Sequence, residues 1–144
     1  MFTEDFSSAP RPARGEALFF GGTSYTGPRA LLGLVRVWLP VARRMRSAPG
    51  YLGHCVWYRF PFTFGTVSFW ASRDDLTAFG RGAEHRRAVA WLLQPGNARG
   101  AFIRFHAAEP AGHTIGAWRA ERDPDEARTD PHHHVATQAT TERR

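Results

Sequence analysis

The sequence predicts an α+β fold: a ferredoxin-like βαββαβ unit whose antiparallel sheet carries its helices on one face. Three observations lead there. Strand-like and helix-like stretches follow one another as strand, helix, strand, strand, helix, strand between Ala17 and Ala107. Glycine- and proline-rich segments separate them. The 144 residues, 42% hydrophobic and 13% aromatic, suffice to fill one core without staples.

The first strand begins at Ala17-Leu18-Phe19-Phe20 and ends in the turn-rich segment GGTSYTGP. Pro28 stands where a first helical residue tolerates a missing N–H, and a helix is expected from there to about Ser47. Its expected inward stripe is Leu31, Val35, Trp38, Ala42 and Met45, while Arg29, Arg36 and Arg43 repeat on another face. Pro40 interrupts that pattern and predicts a kink or two abutting helices. Residues 51–58 and 63–71, joined through RFPFTF, read as an antiparallel hairpin. Ser72 fits an N-cap with Asp75 three residues later, opening a helix that carries Leu76 and Phe79. Gly80 and Gly82 break or bend that helix. A second piece follows over 83–93, closed by Pro95-Gly96-Asn97, and GAFIRFHA forms the last strand. A further short strand in HTIGAW is also compatible with the pattern.

Alternation along the third strand separates Thr66, Ser68 and Trp70 from Val67, Phe69 and Ala71. The aliphatic side is expected to meet the helices and the mixed side to face outward as an aromatic patch. Two sheets mating through that patch would make a homodimeric α/β barrel around a cavity. Residues 1–15 read as a disordered arm, 16–120 as the folded domain and 121–144 as a disordered polar tail.

One cysteine, Cys55, excludes an intramolecular disulfide and points to a reducing, cytoplasmic setting; it reads as a small buried hydrophobe. No secretory pattern opens the chain, and no apolar run approaches the ~20 residues of a membrane span, so no membrane partner is expected. The net charge is +6, and all 19 basic residues are arginine. Their scatter, interleaved with acids near both ends, reads as a solvated surface rather than a nucleic-acid groove. Phosphate loops, nucleophile elbows and paired metal-ligand spacings are absent from the sequence.

Four residues stand out as candidate site groups. His85 shares a helical face with Ala88, Val89 and Leu92, which directs its ring inward. It is either a core histidine satisfied by a backbone carbonyl or a ligand and proton-transfer group. Trp70 is either core or the wall of a pocket for a flat apolar ligand. His54 alternates with Leu52, Val56 and Tyr58 and is either a residue of the same cavity or one of surface or hairpin packing. Arg104, on the side of the last strand that carries Phe102, could neutralise a carboxylate or form a rim salt bridge. PHHH at 131–134 could hold a metal weakly, but in a tail without fixed geometry.

The segments PGYLGH, TFGTVSFWASRDDLTAF and GAEHRRA resemble the dimeric α/β-barrel proteins that include antibiotic-biosynthesis and heme-degrading monooxygenases. The stretch LFFGGTSYTGPRALLGLVRVW also resembles the spheroidene monooxygenase group. The resemblance covers about residues 17–107. It implies a homodimer with a hydrophobic cavity, a pocket tryptophan at Trp70, and His85 where heme degraders place their iron ligand. Their first-strand asparagine has no counterpart, since the chain's only asparagine is Asn97. Two oxygenase chemistries follow. In one, His85 ligates heme iron while Arg104 meets the propionates. In the other there is no cofactor, and His85 or His54 deprotonates a phenolic or enolisable substrate that then reacts with oxygen. A cofactor-free cyclase or isomerase, or a non-catalytic binding module, would use the same pocket.

Overall fold

The structure, a computed structural model, describes residues 5–115. Residues 10–110 form one unit; residues 5–9 and 111–115 belong to a second, in which the Ala9 N–H donates to the Phe6 carbonyl at 2.9 Å. Of the HTIGAW segment, residues 113–115 carry no strand and the remainder lies outside the described residues, as do the polar tail and PHHH.

The elements are β1 (Ala17–Tyr25), α1 (Pro28–Arg46), β2 (Tyr51–Arg59), β3 (Thr63–Trp70), α2 (Arg73–Gly80), α3 (Ala83–Leu92) and β4 (Ala98–Ala107). The sheet order is β2-β3-β1-β4 with every neighbouring pair antiparallel, which is the ferredoxin-like arrangement. Among the described residues no helix is long and apolar enough to cross a membrane.

A 3-10 turn at Arg11–Arg14 lies against β2, where Arg11 donates to the Tyr51 carbonyl at 2.9 Å. Pro12 sits so close that a Cβ on Gly53 would come within 3.0 Å of its Cγ. Proline stiffness and one long guanidinium thus dock a stretch whose composition alone reads as an arm.

Helix α1 runs as one element through Pro40, so two abutting helices do not form. Pro40 is exposed, and the turn after it buries Val41, Ala42 and Met45, whose packing offsets the missing internal hydrogen bond. Helix α2 opens as its sequence predicts: the Asp75 N–H donates to Ser72 Oγ at 3.1 Å, and the Ser72 hydroxyl donates to the Asp75 carboxylate at 2.7 Å. The chain then breaks at Arg81-Gly82 before α3, which the Asn97 side chain closes by donating to the Trp91 carbonyl at 2.7 Å. Before β2, Gly50 takes φ +68°, and a Cβ there would fall 2.2 Å from the Asp75 carboxylate. Both the backbone and the close approach demand glycine at this turn.

The faces of the sheet are the reverse of the expectation. Trp70 is wholly buried among Ala17, Met45 and Leu76, with Phe19, Trp38, Tyr51 and Phe79 packed around them, so the side carrying Thr66, Ser68 and Trp70 meets the helices. The polarity of that side is internal: the Trp70 Nε1–H donates to buried Ser68 Oγ at 2.9 Å. Cross-strand register places Leu18, Phe20, Val67 and Phe69 on the open side. An aromatic patch does occupy it, built by other residues: Phe20 contacts Trp57 and Phe102 at ring centroid distances of 5.7 and 5.1 Å. Trp57 lies flat over β1 and β3, so that a Cβ on Gly22 or Gly65 would come within 2.4 or 2.1 Å of its ring. Cys55, opposite Val67, is exposed on this side rather than buried, because β2 is an edge strand and no second layer covers it in a single chain.

Candidate functional site

The end of α1 and the α2–α3 segment enclose a cleft of about 250 Å³, with Arg44, Asp75, Phe79, Glu84 and His85 among its walls. His85 reaches it because the break at Arg81-Gly82 lets α3 restart and bring residue 85 back over the end of α2. Its Nδ1 lies 2.9 Å from the Gly80 carbonyl. A carbonyl oxygen only accepts, so Nδ1 carries the proton and Nε2 keeps its lone pair. Burial pushes the pKa of His85 below its ordinary value, opposed in part by that hydrogen bond. At neutral pH the ring is therefore neutral, with a donor at Nδ1 and an acceptor at Nε2. The backbone-carbonyl alternative is realised at one nitrogen, since Gly80 satisfies Nδ1.

His54 and Trp70 share the helix-facing side of the sheet with this cleft. His54 stands opposite Ser68, and Tyr51 opposite Trp70, in the β2–β3 register. The Tyr51 hydroxyl bonds to His54 Nδ1. Burial raises the phenol's pKa and, together with Arg46, lowers that of the imidazole, so the phenol donates and the neutral ring accepts. Ring contacts run without a gap from one histidine to the other. Centroid distances are 5.9 Å from His54 to Tyr51, 5.7 Å from Tyr51 to Trp70, 5.2 Å from Trp70 to Phe79 and 5.7 Å from Phe79 to His85. The three predicted site residues are thus linked, through two rings the sequence reading did not single out. Tyr51 was legible only as a strand residue and Phe79 only as a helix core position.

Arg104 does not join them. It stands opposite Phe20 on the open side of the sheet, so within one chain it cannot meet a ligand at His85. Phe102 and Arg104 share one side of the last strand, as the alternation predicts, and that side is the open one. The arginine at the cleft is Arg44, on α1, a residue outside the Arg29, Arg36 and Arg43 series.

The residues present do not fit heme. The cleft is smaller than the roughly 300–1,000 Å³ usual for a drug-sized ligand, and two carboxylates, Asp75 and Glu84, line it where an anionic porphyrin would need cations. Trp70, the expected flat wall, is sealed beneath Phe79, and Arg104 is on the wrong side of the sheet. Among the described residues no group of three or more His, Cys, Asp or Glu could hold a metal ion.

Solved structures share this architecture. A candidate antibiotic biosynthesis monooxygenase from Deinococcus radiodurans superposes with a TM-score of 0.60 at 18% identity, covering 69% of this chain and 99% of its own. The chain has their ferredoxin-like fold. SnoaB, a cofactor-independent oxygenase from Streptomyces nogalater, gives 0.54 at 13% identity over 66% of this chain and 94% of its own. Rv0793 from Mycobacterium tuberculosis gives 0.55 at 14% identity over 65% and 94%. No family profile and no curated protein matches the sequence. At such identities the likeness is one of fold, and fold alone does not carry chemistry.

Proposed function

We propose that the protein is an oxygenase without a resident cofactor, acting on an enolisable, largely apolar small molecule at the cleft beside His85. The observation that carries this reading is the Nδ1–H bond from His85 to Gly80, which presents a neutral Nε2 as a base. Nε2 takes a proton from an activated CH₂ group. The resulting carbanion gives its electrons to O₂ as the C–O bond forms, the peroxide recovers the proton, and loss of water leaves a ketone: R₂CH₂ + O₂ → R₂C=O + H₂O. Arg44 offsets the charge of the anion, and Phe79 supplies an apolar wall. SnoaB, on the same fold, is a cofactor-independent oxygenase, which supports the cofactor-free form.

The working unit is proposed to be a homodimer joined through the open side of the sheet. Phe20, Trp57 and Phe102 form a contiguous aromatic surface there, with Phe102 43% exposed. The test is oxygen uptake with a panel of polycyclic phenols and anthrone-type ketones, with product mass after reaction under ¹⁸O₂. Turnover should fall by about 10²–10⁴ in His85→Ala, the usual worth of a positioned base. Tight binding without oxygen uptake would favour a non-catalytic binding module instead. Conversion that proceeds equally without oxygen would favour a cyclase or isomerase.

A further inference from the structure

We infer that the outer surface of α1, together with the β2–β3 hairpin, docks the protein on an anionic lipid surface. The helix was expected to hide Val35, yet Val35 is 53% exposed, and Leu32 at 72% and Leu39 at 48% extend the same strip. These positions step by three and four, so they form one line along the side of α1 turned from the core. Leu32 and Val35 also border an apolar hollow of about 430 Å³ that Leu31, Leu34, Pro28 and Phe64 complete. The strip continues past the hollow: Phe64 meets Tyr58 at 4.7 Å between ring centroids, Tyr58 is itself exposed, and Phe60 at the hairpin turn is 83% exposed.

Charge decides the occupant. Helix α1 contains five arginines and no acidic residue, and Arg29, Arg36 and Arg43 recur at seven-residue intervals beside the exposed strip. Apolar side chains flanked by guanidinium groups on one helix face suit the boundary between acyl chains and anionic headgroups, where the apolar groups sink and the cations stay with phosphate. A neutral apolar partner would leave those arginines uncompensated. Docking of this kind crosses nothing, so it is compatible with a chain that has no spanning helix among its described residues. It is independent of the chemistry at His85.

The experiment is co-sedimentation of the full chain with vesicles of phosphatidylcholine alone and of phosphatidylcholine with phosphatidylglycerol, at low and high salt. The expected result is binding to the anionic vesicles, weakened by salt, and little binding to the neutral ones. The double variant Leu32→Gln/Val35→Gln, which alters only partly exposed side chains and whose fold is checked by circular dichroism, should lower the partition coefficient at least about tenfold. Arg29→Gln/Arg36→Gln should remove the preference for anionic vesicles while leaving weak binding to both. Three outcomes overturn the inference: no binding to anionic vesicles at low salt; binding unchanged in the Leu32/Val35 variant, which would assign it to net charge alone; or no vesicle binding together with self-association that this variant abolishes, which would make the strip a contact between copies of the chain.

Discussion

Removing the hydroxyl of Ser68 tests how the core holds its largest side chain. Ser68 Oγ accepts the indole N–H of Trp70 at 2.9 Å, and both residues are buried. In Ser68→Ala the N–H stays buried without an acceptor, a loss worth about 1–3 kcal/mol. For a domain of this size each kcal/mol moves Tm by about 4–8 °C, so the shift should be unmistakable. Trp70→Phe removes the donor and part of the ring, leaving a cavity and costing about 1–3 kcal/mol more if Ser68 remains. With both changes no donor is orphaned. The double variant should therefore be more stable than the sum of the two losses implies, by at least about 0.5 kcal/mol. Urea unfolding at one fixed protein concentration measures all three, since any self-association makes stability concentration-dependent. Additivity within about 0.3 kcal/mol, or a Ser68→Ala protein as stable as its parent, would refute the coupling.

The two histidines make stability depend on pH. Burial depresses the pKa of both His54 and His85 in the folded chain, so between the ordinary value near 6.5 and the lower folded values the unfolded chain binds more protons. Their contribution is complete above about 6.5 and is lost as pH falls through that window; His85→Ala should flatten the decline in urea titrations made at a series of pH values. Gly50→Ala should destabilise by more than Gly96→Ala, because both have positive φ but only the first brings a Cβ against Asp75. The backbone alone costs about 1–2 kcal/mol, and the difference between the two variants, read by thermal unfolding, isolates the contact. Cys55 should react quickly with a thiol reagent in dilute protein and slowly at concentrations where copies associate, since it stands on the open side of the sheet. A rate independent of concentration would count against pairing through that side.

Most of the fold was written locally. Pro28 opening α1, Ser72 and Asp75 opening α2, and the glycines between α2 and α3 are short-range signals, and each element forms where they place it. What failed was the choice between faces. The third strand offers an aliphatic side and a mixed one, and weighing Thr66 and Ser68 as polar sends Trp70 outward; nothing local reveals that Ser68 serves the indole two residues on. Trp70 therefore lies under Phe79 on the helix side, whereas Arg104 lies on the open side. Val35 failed for a related reason: helical period marks an apolar line, but α1 carries two such lines, and only the packing partner decides which is covered. His85 was legible because its spacing from Ala88 and Leu92 is enough to turn it inward. The Gly80 carbonyl that fixes its tautomer belongs to the previous helix, and its alignment follows from a break whose geometry the residues alone do not specify.

The sealed position of Trp70 has a thermodynamic consequence for any guest. The indole is fully covered, and the ring of Phe79 rests on it at 5.2 Å, so nothing can touch its face until α2 lifts. Apparent affinity for such a guest then equals its intrinsic affinity multiplied by the fraction of chains already lifted, and every tenfold rarity of that state weakens binding tenfold. Trimming Phe79 would raise admission without adding a single contact to the guest.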